Sequence, residues 1–452
     1  MIPHSAPIGV IGLGRSGSAA LRLLANSGLP VRAWDGRNEP LQPFSALPGV
    51  ECFSGDPLPT APFLGCQTIL LSPGIPRALP EIQTLTAANI PIINDIEWLH
   101  TLVRDAHPNA TFIGITGSNG KSTVTSLIGA MLARHQSDVV TGGNLGVPAL
   151  ELWQPEHRVY VLELSSFQLE SIAAFRAEIA VHLNLTPDHL DRYPDLEAYH
   201  QAKLRLFANS QPGDHAILNA DDPMLSDALT QLRQRQITVI PFSITRTLPG
   251  GVYVQDDHLI DHRDPTPRTL LPTAQIAIQG AHNQANAAAA TAAALAAGVP
   301  IEAILDILTT FPGLPHRMEP VRQLHGVTYF NDSKGTNIGA TLMSLRSFAA
   351  NSVILIAGGR DKKGDFSTLA PVASTIVTDA ILLGEAADDL ARALAGGPRL
   401  HRVQEMTQAV QLAHTLAKPG QSVLLSPACA SFDMFKNFEE RGARFRAAVH
   451  GL

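Results

Sequence analysis

The chain has 452 residues, a formal net charge of −7 and 45% hydrophobic residues. That length suggests about three domains, and the apolar content can build sizeable cores. The sequence has no basic tract, which argues against a nucleic-acid binder. Cys52, Cys66 and Cys429 are scattered, with no CxxC pair, so a thiol metal cluster is not expected and a reducing cytosol suits the chain. No charged n-region and long apolar h-region precede Gly9 and Gly12, so no signal peptide is expected. The Ala-rich stretch Ala285–Ala297 is too short to span a bilayer. These features together predict a cytoplasmic protein without membrane insertion.

In chain order, residues 8–14 read as a buried strand entering a glycine turn. A helix follows with Leu21, Leu24 and Ala25 inward, ending near Gly28. Strands are predicted at Val31–Trp34, Thr68–Ser72 and Ile90–Ile93. Strands alternating with helices predict a small parallel, doubly wound domain. The polar segment Arg104–Ala110 reads as a linker. A second region runs from Thr111 through strands at Val159–Leu162, Ile179–Asn184 and Ala216–Leu218, with a helix around 195–208. Residues 235–275 alternate in short runs and suggest a β excursion, and a helix is predicted at 285–297. Proline and glycine at Phe311-Pro-Gly-Leu-Pro315 mark a second boundary. The third region alternates again, with strands at Val327–Asn331, Val353–Ala357, Ala380–Leu383 and Ser422–Leu425. The expectation is an α/β protein of three domains, 1–108, 109–313 and 314–452. The first and last are Rossmann-like, and the middle one is built on a phosphate loop.

That loop is the strongest local signal. Ile113–Thr116 reads as a strand, Gly117-Ser-Asn-Gly-Lys-Ser-Thr123 follows, and Val124, Leu127, Ile128, Met131 and Leu132 recur at helical spacing. Small residues let backbone N–H groups face phosphate oxygens at a helix N-terminus. Lys121 adds a charge, and Ser122 offers a hydroxyl to Mg²⁺. The common spacing G-x-x-x-x-G-K-[ST] is not met; the fit from Gly114 to Ser122 is one residue longer. The alternative is a plain glycine turn capped by Ser118 and Asn119. A second glycine turn, Gly12-Leu-Gly14-Arg-Ser-Gly17, matches the dinucleotide fingerprint, with Asp35 at the end of the next strand placed for a ribose. Any nucleoside diphosphate satisfies that pattern, so NAD is only one candidate.

Other polar groups collect after predicted strands, where ligands bind in open α/β sheets. Glu163-Leu-Ser-Ser-Phe-Gln168 puts an acid where Mg²⁺ is held after a phosphate loop. Asn184-Leu-Thr-Pro-Asp-His-Leu-Asp-Arg-Tyr193 packs Asp188, His189, Asp191 and Arg192 into one loop; His189 is either a metal contact or a structural hydrogen-bonder. Lys203 lies on the apolar stripe Leu196, Tyr199, Leu206, Phe207. There it either snorkels to water or is buried as a neutral amine able to take up CO₂. His316-Arg317, Asn331-Asp-Ser-Lys334-Gly-Thr336-Asn337, Gly358-Gly-Arg-Asp-Lys362-Lys363 and Ser426-Pro-Ala-Cys-Ala-Ser431 complete the expected cleft rim.

Thr116-Gly-Ser-Asn-Gly-Lys-Ser122, Glu163-Leu-Ser-Ser, Gly280-x-His-Asn-x-x-Asn286, His316-Arg317 and Asn331-Asp-Ser-Lys334, in this order, resemble the Mur ligases of peptidoglycan synthesis across essentially the whole chain. Within the family, the glycine-turn N-terminal segment, Thr186–Tyr193 and Ser426–Gly442 resemble a member that adds glutamate. The resemblance implies a cell-wall enzyme in which ATP phosphorylates the carboxylate of UDP-N-acetylmuramoyl-L-alanine. Glutamate's amine then displaces phosphate through a tetrahedral intermediate.

Carried over by position, Gly117, Ser118, Asn119, Gly120, Lys121, Ser122 and Thr123 would hold the ATP phosphates. Asn283 and Asn286 would lie at the nucleotide, reached from the C-terminal side by Arg317, Asp332 and Lys334. Ser122 and Glu163 would take one Mg²⁺, and His189 with a carbamylated Lys203 a second, making Lys121, Glu163, His189 and Lys203 the catalytic set. Ser16, Asp35, Arg37 and Gly74 would bind the uridine diphosphate. Asn144, Ser165 and His189 would lie at the muramoyl-alanine end. Thr336, Lys362, Ser431 and Phe438 would bind glutamate, of either hand, on what is expected to be a monomer. The alternatives are a related ligase with another acceptor, such as a folate polyglutamylating enzyme, an NAD-linked dehydrogenase using Gly12–Gly17, and a non-catalytic nucleotide-binding module.

Overall fold

The protein is described here from a computed structural model covering residues 6–189, 192–362 and 364–452. Asp191 and Lys363 lie outside the described residues. The first sheet contains β1 (Ile8–Ile11), β2 (Val31–Asp35), β3 (Val50–Ser54), β4 (Thr68–Leu71) and β5 (Ile92–Ile93) in the order β3-β2-β1-β4-β5. Its paired strands are parallel throughout. The order reverses between β1 and β4, so the crevice at their carboxyl ends holds the first glycine turn and the segment from Ser72 to Gly74. Gly12 turns there at φ 86°. A side chain on it would meet Ile75 at 2.8 Å and Ser72 at 2.9 Å. β3 has no clear apolar alternation, which is why the sequence reading passed over it.

The second sheet adds β6 (Thr111–Thr116), β7 (Val139–Gly143), β8 (Val159–Glu163), β9 (Ile179–His182), β10 (His215–Asn219), β11 (Thr238–Ser243), β12 (Val252–Gln255), β13 (His258–Asp261) and β14 (Arg268–Pro272). Their order is β14-β13-β12-β11-β10-β9-β6-β8-β7. The expected β excursion is the antiparallel ribbon β12-β13-β14 that extends this otherwise parallel sheet. β6 sits between β8 and β9, with Ile115 opposite Glu163 and Thr116 opposite His182. That register brings the loops after all three strands to one end. Gly114 lies within β6, where a side chain would meet Leu206 at 2.8 Å. It is therefore a packing glycine, and the phosphate loop begins at Gly117.

The expected linker Arg104–Ala110 begins within a helix, which takes in Arg104–Ala106. Asp95–Ala106 is one helix, capped by Asn94, whose Oδ1 accepts the Glu97 N–H at 2.9 Å. Ile96, Leu99 and Val103 bury one face of it. They join a single core running from Ile8 of the first sheet and Leu21 of the helix Arg15–Asn26 to Phe112 and Tyr160 of the second sheet and Phe175 before β9. Polar residues such as Arg104 and Asp105 at its solvent side masked the helical period.

The third sheet holds β15 (Glu319–Leu324), β16 (Val327–Asn331), β17 (Val353–Gly358), β18 (Val377–Leu383), β19 (Arg399–Arg402) and β20 (Ser422–Leu425) in the order β15-β16-β20-β17-β18-β19. Only β15 pairs antiparallel in it. The chain packs as two compact units. One runs as far as Asn184 and adds His200–Thr273 and Asn286–Ile307. The other takes Leu185–Tyr199, Ala274–Ala285 and Leu308–Leu452. The first two sheets thus share one unit. Among the described residues no helix is long and apolar enough to cross a membrane.

Candidate functional site

In the first unit, the loop from Gly117 to Gly120 leaves β6 and opens the helix Lys121–Ala133. Gly117 and Gly120 take φ 147° and 84°, conformations costly for any residue with a Cβ. A side chain at position 120 would collide with Asn286 Oδ1. Asn286 is therefore part of the wall that shapes this loop. Asn184, after β9, braces the loop from the other side: its Oδ1 accepts from Asn119 N at 2.8 Å and its Nδ2 donates to Asn119 O at 3.0 Å. Val124, Leu127, Ile128, Met131 and Leu132 are all buried, as their spacing predicts.

Lys121 lies on the loop, its Nζ donating to Gly117 O at 2.8 Å and Ser118 O at 3.0 Å. Ser122 Oγ donates to Glu163 Oε2 at 2.5 Å, and Asn144 Nδ2 donates to Glu163 Oε1 at 2.6 Å. Glu163 is only 2% exposed. A hydroxyl and a buried carboxylate, both hard oxygen donors, thus meet at a helix N-terminus. This donor set fits Mg²⁺, which keeps water and phosphate oxygens in its remaining positions. Among the described residues no group of three or more His, Cys, Asp and Glu forms an all-protein metal cage.

Lys203 is 1% exposed, so the snorkelling alternative is wrong. Its stripe packs inward, and its Nζ donates to Gly117 O at 2.9 Å, putting the amine at the root of the phosphate loop. Beside it lies His182, fully buried, with neither ring nitrogen hydrogen-bonded. Burial first, and then the positive charges of Lys203, His200 and Lys121, push its pKa well below the usual histidine value. His182 is thus a neutral ring at this site, which the sequence reading did not single out.

The first glycine turn belongs to the same unit. Leu13 N donates to Asp35 Oδ2 at 2.8 Å and Arg37 N to Asp35 Oδ1 at 3.0 Å, with Arg37 Nε 3.6 Å from that oxygen. Asp35 is buried, so its first task is to fix the turn. Ser16 is half-buried on the helix Arg15–Asn26, and Gly74 follows β4. Ser165 caps the short helix Ser166–Leu169 through a capping box with Gln168.

In the second unit Asp188 is the organiser, a role the sequence reading did not assign. Its carboxylate accepts from Asn337 Nδ2 at 2.9 Å and His189 N at 2.9 Å, and pairs with Lys362 Nζ at 3.3 Å. His189 is held at φ 56° beside it. Asp332 is buried, with its Oδ2 accepting from Ser344 Oγ at 2.7 Å and Ser426 Oγ at 2.8 Å. Burial raises its pKa, against the lowering effect of those hydroxyls and of Arg317. Lys334 Nζ stands 3.7 Å above the Phe438 ring. Ser431 is buried at the turn that leads to it. The long motif Ser426–Gly442 works as a clamp. Its buried Arg441 donates to Ser333 Oγ, Ser333 O and Cys429 O, and desolvation lowers the guanidinium to about 10. Asn283 Nδ2 is engaged by Gln279 O at 2.9 Å, and Thr336 N by Lys334 O at 2.8 Å.

Residues 6–94 match the Mur ligase MurD-like N-terminal domain, residues 115–294 the Mur ligase middle domain, and residues 316–429 the Mur ligase glutamate ligase domain. A UDP-N-acetylmuramoylalanine–D-glutamate ligase from Geobacter metallireducens is 40% identical, over 98% of this chain and 97% of its own. One of the same name from Nitrosomonas europaea is 41% identical, over 97% and 95%. Among solved structures, a pseudomurein peptide ligase type C from Methanothermus fervidus superposes with a TM-score of 0.63 at 16% identity, covering 99% of this chain and 100% of that one. UDP-N-acetylmuramate–alanine ligase MurC from Thermotoga maritima gives 0.61 at 16% identity, covering 99% of each chain, so both share the fold. By these full-length matches, the chain belongs to the Mur ligase family.

Proposed function

We propose that the chain is an ATP-dependent ligase that adds D-glutamate to UDP-N-acetylmuramoyl-L-alanine in the synthesis of peptidoglycan precursors. The observation that carries this reading is the match, at about 40% identity over 98% of the chain, to relatives named for that reaction. Residues 1–108 are proposed to take the UDP moiety, 109–313 ATP, and 314–452 glutamate, in a cytoplasmic monomer.

The reaction transfers a γ-phosphoryl group to the donor's terminal carboxylate. The glutamate amine then adds to the acyl phosphate carbon, and the tetrahedral intermediate expels phosphate to leave the amide. The chain's residues have to offset the negative charge that gathers on this path. Loop N–H groups from Gly117 to Thr123 and the Lys121 ammonium are suited to hold the phosphates. Ser122 and Glu163 are the residues that would hold Mg²⁺, which when bound spreads the charge of the transferring group. Lys203, addition of whose amine to CO₂ with loss of one proton gives a carbamate, would supply oxygen ligands for a second ion. Its burial beside Gly117 supports an amine kept from bulk water. In the other unit His189 is proposed as a further metal-directed donor. Arg317, Asp332 and Lys334 are assigned to the nucleotide, and Thr336, Lys362, Ser431 and Phe438 to glutamate. Ser16, Asp35, Arg37 and Gly74 are assigned to the uridine diphosphate, Asn144 and Ser165 to the muramoyl-alanine end, and Asn283 and Asn286 to the ATP base side.

The test is phosphate release from ATP with UDP-N-acetylmuramoyl-L-alanine and a panel of D- and L-amino acids. D-Glutamate alone is expected to stimulate release. Equal stimulation by L-glutamate would move the assignment to a related ligase. Tight NADH binding with no turnover under any acceptor would sink it.

A further inference from the structure

A donor substrate with its nucleotide at the first glycine turn and its carboxylate at the phosphate loop must be held by two different sheets. What fixes those sheets to one another is the N-terminus of the helix Asp95–Ala106. Asn94, Asp95 and Glu97 are all buried there, between 1% and 4% exposed. Glu97 accepts backbone N–H groups from Ala173, Ala174 and Phe175, at 2.9, 2.6 and 3.0 Å. Asn94 Nδ2 donates to Gln168 O. These bonds tie side chains of the helix N-terminus to backbone groups of residues 168–175, and they suffice as a structural bolt.

Asp95 and Gln168 do something else. The Ser16 hydroxyl, on the helix of the first glycine turn, lowers the Asp95 carboxyl against the raising effect of burial. Gln168 Nε2 forks toward both Asp95 oxygens at 3.5 Å. Gln168 Oε1 accepts from Ser165 N and from Ser165 Oγ, each at 3.1 Å. A side-chain path thus runs Asp95–Gln168–Ser165. It ends two residues beyond Glu163. Among the described residues no cation partners Asp95. Burial pushes its carboxyl up, a cost that a purely structural cap, such as the neighbouring Asn94, avoids. The path also sets a polarity. The Ser165 hydroxyl donates to Gln168 Oε1 and accepts from Gln168 N at 3.3 Å, so what it has left for a ligand is a lone pair, and a lone pair receives an N–H donor.

We infer that Asp95 and Gln168 are positioning residues: a buried relay in which Asp95 orients the Gln168 amide and Gln168 holds Ser165 as the hydrogen-bond acceptor for the amide N–H of the donor's alanyl group. This deepens the functional reading above and rests on it. The relay is expected to act on the donor and not on ATP or glutamate, because it ends at Ser165, which is assigned to the donor.

The experiment compares the full-length wild type with Gln168→Met, Gln168→Glu, Asp95→Ala and Asp95→Asn. Each is assayed by phosphate release with all three substrates varied and by thermal unfolding. Gln168→Met and Asp95→Ala are expected to raise KM for UDP-N-acetylmuramoyl-L-alanine about 10- to 100-fold, as lost hydrogen bonds to a charged or buried group do. KM for ATP and D-glutamate should stay within about twofold. Asp95→Asn, which keeps an acceptor for Gln168 Nε2, should recover most of the loss. A donor analogue with an ester oxygen in place of the alanyl N–H should be discriminated by the wild type and not by Gln168→Met. Should a variant fail to fold, the ester analogue on the wild type and on Gln168→Glu still decides the matter. An equal rise in all three KM values, or a fall in activity that only follows the unfolding midpoint, overturns the relay. Lack of discrimination by the wild type overturns the acceptor role of Ser165. A wild type that neither binds the donor nor releases phosphate overturns the functional reading, and the relay with it.

Discussion

The two glycine turns have the same local plan and opposite electrostatics. Each follows a buried parallel strand, turns on a glycine with positive φ (Gly12, Gly117), and opens a helix of similar length. The first turn already contains an anion: Asp35 accepts from Leu13 N, using one of the turn's own donors. The second contains a cation, Lys121, and a hydroxyl–carboxylate pair, Ser122–Glu163. A turn whose N–H groups are partly taken by a carboxylate suits a hydroxyl-bearing ribose. A turn with an ammonium head laid along its own loop suits a triphosphate. Strand–glycine–helix geometry therefore specifies that an anion-friendly terminus exists, and the side chains converging from other strands specify for what.

That contrast can be broken by substitution. The largest effect is expected from Lys121→Ala, which should lower kcat for glutamate-dependent phosphate release about 100- to 1,000-fold, the range for removing one preorganised charge-stabilising donor. An unchanged kcat would show that the ammonium does not act on the transferring group. Lys203→Ala should cost about 100-fold or more by loss of metal-directed oxygen donors, partly restored by added formate or acetate. Full activity without added carboxylate would remove the carbamate from the scheme. In the first turn, Asp35→Asn should act on binding and not on chemistry. KM for the nucleotide-sugar should rise about tenfold with kcat nearly constant, and a matching fall in kcat would erase the contrast between the turns.

The smallest effect concerns the core that the two turns share. His100 packs against Phe112 and Phe175, with ring centroids 5.1 and 5.5 Å away, and Arg104 Nε donates to its Nε2 at 3.3 Å. Burial first, then Arg104 and Arg176, lower its pKa to about 4. A histidine whose folded pKa is depressed binds fewer protons when folded than when unfolded. Its contribution is therefore complete above the unfolded value near 6.5 and is lost as pH falls toward about 4. Between pH 7 and 4 the loss from this ring should be about 1–2 kcal/mol, below the full shift because its edge reaches solvent. His100→Phe should flatten that part of the unfolding-midpoint profile, and an unaltered slope would show that the ring does not titrate across folding.

Much of this was legible in the sequence because it is local. The strand–loop–helix at Ile113–Leu132, the apolar stripe that carries Lys203, the glycine turn at Gly12 and the strands Val327–Asn331 and Ser422–Leu425 are written in residues that are neighbours along the chain. The order of the family motifs, likewise, needs no contacts. The end of helix Asp95–Ala106 was taken for part of a linker because its polar outer face hid its period, and β3 went unassigned because its residues alternate only weakly in burial.

What only the tertiary structure decided is which distant groups meet. Glu163 reaches Ser122 because β8 lies beside β6. Lys203 turns its amine to Gly117 because its helix packs where Gly114 leaves room for Leu206. Asp188, Asp95 and Gln168 have partners tens of residues away, set by sheet order and helix packing. A carboxylate or amide has no period and no propensity that announces its partner. Burial and hydrogen bonding give it one, and these exist only once the sheets have formed.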